Sequence, residues 1–317
     1  MGQPHKSRDG SLQYWPRNRA RKILPSVNWS PVPENAKGNL RGFIGYKVGM
    51  VSVYAKDNTP DSMIKGKRTA IPATIIECPE LKIYSVRLYK NHQIVKEVIV
   101  GFDEELKYKL KKPKKIDAKV LDDVKVDYDD VRVIVYSNAK KTGFKKSPDI
   151  IELALSGKKE DKLKFVKEKI GKEISISEVF SEGLVDIHGV TKAFGLQGPV
   201  KRFGISLKFH KSEKGVRRPG SLGPWHPARV TFRVAMAGQT GYFTRIAYNS
   251  LILQVKNIKD KDINQKGGFH KYGNIKTSYM ILKGSVPGTK KRPIMMVPSI
   301  RPTPKKAKQK FEVIELR

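Results

Sequence analysis

The sequence predicts a mainly β protein with an α/β insertion: a closed β-barrel carrying a long extended loop and an N-terminal extension. Three observations lead there. Short apolar or alternating runs follow one another closely on either side of residues 101–182, with no long helices between them. Residues 101–182 hold 20 basic and 17 acidic side chains while the rest of the chain holds 44 and 13, so one near-neutral module interrupts a polycationic protein. Residues 195–242 contain eight glycines and four prolines with little aliphatic periodicity, the pattern of a protruding loop that takes its shape from a partner.

Residues 1–38 carry Pro4, Pro16, Pro25, Pro31 and Pro33, with Arg17, Arg19, Arg21 and Lys22 set among Tyr14, Trp15 and Trp29. Proline at that density prevents a long helix and favours extended backbone. We expect an arm that lies along RNA, disordered in solution before binding. The barrel is then assigned to 39–100 and 183–317. Its strands are GFIGYKVGMVSVYA, Ile71 to Glu77, Ile83 to Lys90, Gln93 to Val100, Leu184 to Val190, Phe243 to Val255, Tyr279 to Leu282 and Ile294 to Val297. Within the insertion, Glu104 to Lys115 is charged and loosely helical, and Val131 to Ser137 and Ile150 to Leu155 read as strands. Lys158 to Ile170 is a helix, because Leu163, Val166 and Ile170 recur at helical spacing and Gly171 supplies a stop.

The 317 residues include 64 lysines and arginines against 30 acids, a net charge of +34, with 38% hydrophobic residues. Charge of this size calls for a polyanion, either nucleic-acid phosphate or anionic lipid. Lipid fits poorly: no apolar run approaches the length that spans a bilayer, and no basic segment has a clean amphipathic helical face. MGQPHK departs from a myristoylation signal at Lys6, and no signal-peptide core follows. Asn28-Trp29-Ser30 is then a sequon by chance. Cys78 is the single cysteine, which excludes a disulfide framework and points to a reducing, cytoplasmic setting.

Cation density is highest around the loop. Between Ile187 and Lys259 the one acid is Glu213, against Lys192, Lys201, Arg202, Lys208, Lys211, Lys214, Arg217, Arg218, Arg229, Arg233, Arg245 and Lys256. The expected tip is Trp225, framed by Pro224 and Pro227. Its flat ring on a pre-ordered basic turn suits stacking on a base, with His226 beside it in a stacking or phosphate-contact role. The competing fate for a lone tryptophan is burial in a core. A second cationic strip, including Lys290, Lys291 and Arg292, lies in the acid-free stretch 263–311.

Nothing in the sequence converges on an active site. The six histidines fall into no metal-ligand spacing, and no carboxylate near His226 in sequence is placed to orient it as a base. GSVPGTKK from Gly284 fails as a phosphate-binding loop: three residues separate its glycines where four are needed, and Thr289 precedes Lys290. We therefore expect no catalysis, no cofactor and no metal. Two rivals stand beside a structural RNA-binding role: an RNA-modifying enzyme with a basic guiding arm, and a free RNA-binding regulator or chaperone.

GVTKAFGLQGPVKRFG, GSLGPWHPARVTFRVAMAGQTGYFTR and GGFHKYGNIKTSYMILKGSVPGTKKR closely resemble the universal ribosomal large-subunit protein three family. RDGSLQYWPRNRA and LRGFIGYKVGM look like its archaeal and eukaryotic branch. The resemblance implies a six-stranded translation-protein-type barrel, a structural place in the large subunit as a single copy among neighbouring proteins, and extensions that penetrate large-subunit rRNA. It also implies early binding in assembly and a loop that approaches the peptidyl-transferase centre. By this likeness Trp225 is the loop-tip tryptophan, with Gly223, His226 and Pro227 in its motif, and Gly238, Gln239 and Gly241 form the turn where the loop rejoins the barrel. Glu213 stands where eukaryotic members carry histidine, so a role specific to that histidine does not transfer. The expected rRNA-binding set is Trp15, Arg17, Arg19, Arg21, Lys201, Arg202, Lys211, Lys214, Arg217, Arg218, Trp225, His226, Arg229, Arg233, Gln239, Arg245, Lys290, Lys291 and Arg292.

Overall fold

The structure is a computed structural model that describes residues 9–11, 13–33, 40–114, 116, 121 and 127–317. Strand-forming residues dominate it, and its helices are short. In chain order it runs β1 (Phe43–Asp57), β2 (Arg68–Cys78), β3 (Leu81–Lys90), β4 (Gln93–Ile99), β5 (Asp130–Ser137), β6 (Ile150–Ala154), α1 (Lys159–Lys169), α2 (Ile176–Val179), β7 (Leu184–Val190), β8 (Ala193–Gln197), α3 (Pro199–Phe203), β9 (Gly238–Gly241), β10 (Thr244–Asn257), β11 (Ser278–Lys283), β12 (Pro293–Pro298), α4 (Pro304–Ala307) and β13 (Phe311–Leu316). The chain divides into two compact units, one of residues 1–21 and 190–244, the other of 22–189 and 245–317.

The larger unit holds two sheets. One has the order β12-β7-β10-β11-β2-β1-β13, and a further pairing of β12 with β1 joins its members into a ring of six strands with β13 at the margin. β1 makes this possible by its length: Phe43 to Tyr46 pair with β12, while Val53 to Asp57 pair with β13. Its first half is buried on both faces, and Gly45 is forced by the Ile76 side chain, which occupies the space a Cβ would need. Val48, Val53, Ile71, Ile75, Tyr279 and Ile281 build one cluster of the core with Phe269, Tyr272 and Ile275 from the irregular segment before β11.

The second sheet has the order β4-β3-β5-β6. Our expectation that the strands of 83–100 belong with the ring is corrected here: β3 pairs with β4 and with β5 of the near-neutral segment. Alternating apolar residues fit either sheet equally well, and the choice of a non-local partner leaves no local trace. The β3–β4 hairpin is locally encoded, since Asn91 and His92 both take positive φ in a two-residue connection. A larger cluster joins the sheets, drawing Phe43, Ile44 and Ile76 together with Leu81, Val86, Leu88, Val133 and Val135, and Trp29 of the N-terminal stretch is buried in it.

The helix expected over 158–170 is α1, whose buried Val166 fixes its inner face. α2 begins with a capping box in which Ser175 and Glu178 satisfy each other's backbone groups. Of the charged run 104–115, the described residues form one 3-10 turn, Glu104–Tyr108, anchored by buried Leu106, and Lys115 lies outside the described residues. Among the described residues no helix is long and apolar enough to cross a membrane.

Candidate nucleic-acid interface

The smaller unit is built at the root of the long loop. β8 and β9 pair antiparallel, with Ala193 opposite Gly241 and Leu196 opposite Gln239. Gly241 has φ +73°, and a Cβ there would overlap the Lys192 carbonyl, which accepts a hydrogen bond from Tyr242 N at 2.9 Å. α3 starts with Pro199 at its first turn and ends on left-handed Gly204. From α3, the Arg202 guanidinium donates to the Gln239 carbonyl from Nε and to the Met236 carbonyl from Nη1, both at 3.0 Å. Burial holds its pKa below the usual arginine value. Arg202 thus clasps the returning limb of the loop.

The N-terminal stretch closes the other side of this root. Asp9 N donates to the Phe203 carbonyl and Ala20 N to the Tyr242 carbonyl, each at 2.8 Å. Between those anchors the Trp15 ring stacks on Phe203 at 6.2 Å and meets the edge of Phe232 at 5.5 Å. The Arg17 guanidinium lies 4.7 Å from the Phe203 centroid and 5.0 Å from that of Trp15. Trp15 and Arg17 are half-buried parts of this packing, while Arg19 and Arg21 are exposed. Neither Phe203 nor Phe232 stood out in the sequence, because one is a single apolar residue in a basic helix and the other lies in a glycine-rich run.

Beyond the root the loop carries its side chains outward. Every residue from Gly220 to Arg233 is exposed, and Trp225 is 87% exposed. The tryptophan is presented rather than packed. Lys211, Lys214, Arg217, Arg218, His226 and Arg229 are exposed with it, as is Lys201 at the root, and Gln239 is half-buried. A tight turn at 208–216, closed by Lys208 N donating to the Val216 carbonyl at 2.9 Å, holds Lys211 and Lys214 on its outer side. The remaining expected residues, Arg245, Lys290, Lys291 and Arg292, belong to the larger unit. There Lys291 N donates to the Lys47 carbonyl at 2.8 Å, and Lys290 Nζ to the His270 carbonyl at 2.6 Å.

Charge is handled differently on the four-stranded sheet. Arg87 bonds Glu97 at 2.9 Å and Glu152 at 2.8 Å, and Arg132 bonds Glu152 and Asp130, each at 3.2 Å. Lys162 pairs with Asp130 at 2.5 Å, and these cations hold the Asp130 carboxyl below the usual aspartate value against the opposing effect of burial. Arg87, Arg132 and Lys162 are thus matched by carboxylates, whereas the loop offers Glu213 alone against its many cations. Among the described residues no three His, Cys, Asp or Glu side chains are grouped to hold a metal ion.

The profile of the family described as ribosomal protein L3 matches residues 1–112 and 87–317. The chain belongs to the ribosomal protein L3 family. It is 42% identical to the large ribosomal subunit protein uL3 of Methanocaldococcus jannaschii over 94% of this chain and 92% of that protein. Identity to the uL3 proteins of Archaeoglobus fulgidus and Methanosphaera stadtmanae is 40% and 38%, over 94% and 95% of this chain and 93% and 94% of theirs. The archaeal likeness read from the motifs is borne out. The family is one of ribosomal structural components, not of enzymes.

Proposed function

We propose that this ribosomal protein L3 family member is a structural constituent of the large ribosomal subunit in the cytoplasm, where it binds large-subunit rRNA beside neighbouring ribosomal proteins. In this reading the ring of six strands is a closed barrel of the translation-protein type, and it anchors the cationic extensions. The loop carries Trp225 toward the peptidyl-transferase region, and Lys201, Lys211, Lys214, Arg217, Arg218, His226, Arg229 and Arg233 neutralise phosphates along its path. Arg19 and Arg21 extend the same contact from the N-terminal stretch, Trp15, Arg17, Arg202 and Gln239 shape the root, and Arg245, Lys290, Lys291 and Arg292 add contacts from the larger unit. Binding early in subunit assembly follows from the same idea, because cations delivered to several RNA helices relieve their mutual repulsion.

The observation that carries the reading is the 87% exposure of Trp225 in a stretch where residues 220–233 are all exposed. A large apolar ring held in water by a shaped, cationic loop is explained by a partner with flat faces and phosphates. Crosslinking from residues 215–230 within assembled subunits tests it. Adducts on rRNA nucleotides of the peptidyl-transferase region are expected. Crosslinks confined to proteins, or loss of the chain from subunits in a high-salt wash, would refute it.

A further inference from the structure

We propose that the larger unit carries a second RNA-backbone-binding surface, formed by Lys140, Lys146, Lys271, Lys276 and Lys291 around the Phe144 turn and independent of the Trp225 loop. The surface rests on the rRNA-binding reading and adds to it a site that composition concealed, because residues 140–146 lie in the near-neutral segment.

Packing brings the five lysines together from three separate stretches. Phe144 is wedged between Tyr46 and Tyr272, with ring centroids 5.2 and 5.3 Å away. Tyr272 brings its neighbour Lys271 to this wedge, and Lys291 Nζ lies 6.0 Å from the Phe144 ring. Lys276 Nζ sits 2.7 Å from the position a Cβ would take on Gly143, whose φ of +81° closes the turn begun at Ala139. Lys140 and Lys146 flank that turn, and all five lysines are exposed.

The cations of the frame beneath already have partners within the protein. Lys47, almost fully buried, donates from Nζ to the Val286 and Gly288 carbonyls at 2.5 and 3.1 Å. Lys145 and Lys109 are taken by Asp149 at 2.5 and 3.3 Å, and Lys141 by Glu173 at 2.7 Å and Glu80 at 3.4 Å. Among the described residues no carboxylate lies within ion-pair distance of the five outward lysines. Two of them, Lys271 and Lys291, hold φ of +60° and +68°, a left-handed backbone in which glycine is the default.

Lysine ammonium groups on an open surface suit phosphate oxygens as point charges, and no arginine fork among the five is present to read base edges. Phe144 is packed against Tyr46 and Tyr272 and is half-buried. The neighbouring cavity of about 410 Å³ is lined by Glu104 and Glu105 as well as by Lys107, Tyr108, Lys140 and Lys146, so its acidic side repels phosphate. A sugar-phosphate backbone crossing the Lys271, Lys276 and Lys291 side is the ligand this arrangement accepts.

The test uses the full chain with Lys140, Lys146, Lys271, Lys276 and Lys291 all changed to Gln, titrated with large-subunit rRNA and with a plain RNA duplex over a range of salt. Each phosphate contact adds about 0.9 to the slope of log affinity against log salt, so the slope should fall by about 2.7 for the three lysines on the crossing side and by up to about 4.5 where all five make contact. Affinity at about 0.15 M salt should fall at least about tenfold. The matching set of Lys→Arg changes should restore both, which a folding defect would not permit, and the parent chain lacking residues 218–233 should keep most of the duplex slope. If the parent binds rRNA and the Gln variant binds with the same slope and affinity, this surface is refuted while the loop reading stands. If the parent binds no rRNA, the proposed function fails first. Equal avidity of the parent for anionic phosphatidylserine vesicles would overturn the assignment to RNA.

Discussion

Tyr272 donates its hydroxyl hydrogen to the Glu77 carboxylate, and Glu77 has no exposed surface at all. The same carboxylate accepts Lys276 N at 2.8 Å and both the backbone N and the hydroxyl of Thr277 at 3.1 Å. One buried acid on β2 therefore fixes the segment that bears Lys271 and Lys276 and leads into β11.

Truncating that acid leaves four donors unpaired inside the core. Glu77→Ala should destabilise the larger unit by about 3 to 5 kcal/mol, the range for breaking a buried charged network. A denaturant midpoint shift is the measurement, and protection of the 264–277 amides from hydrogen exchange should fall with it.

The charge of Glu77 has a pH signature of its own. Burial raises its pKa, and the bonds from Tyr272, Lys276 and Thr277 offset only part of that rise. The folded state thus holds this proton to higher pH than the unfolded chain, whose glutamate titrates near about 4.3. Its contribution to stability is complete below that value and is lost as pH climbs through the raised folded value. Gln does not titrate, so the Tm of Glu77→Gln relative to the parent should improve from about pH 4 until the pH passes the raised folded value of Glu77, and level off above it. A flat or falling difference across that range would show that folding does not raise the pKa of Glu77.

Gly241 tests the root of the loop. Its positive φ and the overlap of any Cβ with the Lys192 carbonyl leave no room for a side chain. Gly241→Ala should cost about 2 kcal/mol or more by strain and loss of the Tyr242 bond. Limited proteolysis should then cut near 193–197 and 238–244 before any site in the larger unit.

How much of this was legible in the sequence depended on how local the signal was. The Asn91-His92 hairpin, α1 with Gly171 behind it and the exposed Trp225 turn follow from residues near one another in the chain. Strand partners do not: β3 looked like a ring strand because alternation records a buried face and says nothing about which strand lies beside it. β13 was missed for a related reason, since Glu312 and Glu315 on its outer face break the apolar run that marked other strands. The lysines around Phe144 were hidden by averaging, because the carboxylates that neutralise 101–182 as a whole bind Lys109, Lys141 and Lys145 and leave Lys140 and Lys146 untouched.

Trp15 separates a packing role from an RNA contact at the N-terminal stretch. Its ring fills the space between Phe203 and Phe232, so Trp15→Ala should loosen the root by about 2 to 3 kcal/mol, less than a full core truncation because the ring is half-buried. Hydrogen exchange at 199–204 and 236–242 reads the effect in the free protein. No change there would assign the ring to RNA alone.

Trp225 should behave in the opposite way. With its ring 87% exposed, Trp225→Ala removes almost no intramolecular contact, and the free protein's stability should stay within about 0.5 kcal/mol of the parent. What the change removes is the face offered to a base, worth about 1 to 3 kcal/mol where stacking is made. Subunits carrying the variant should assemble, since the phosphate contacts proposed for Arg217, Arg218 and Arg229 are untouched, yet show altered tRNA accommodation or altered sensitivity to peptidyl-transferase antibiotics. A variant that matches the parent in both assays would leave the tip an exposed ring without a partner. A variant that unfolds would mean that the loop depends on Trp225 for its own shape.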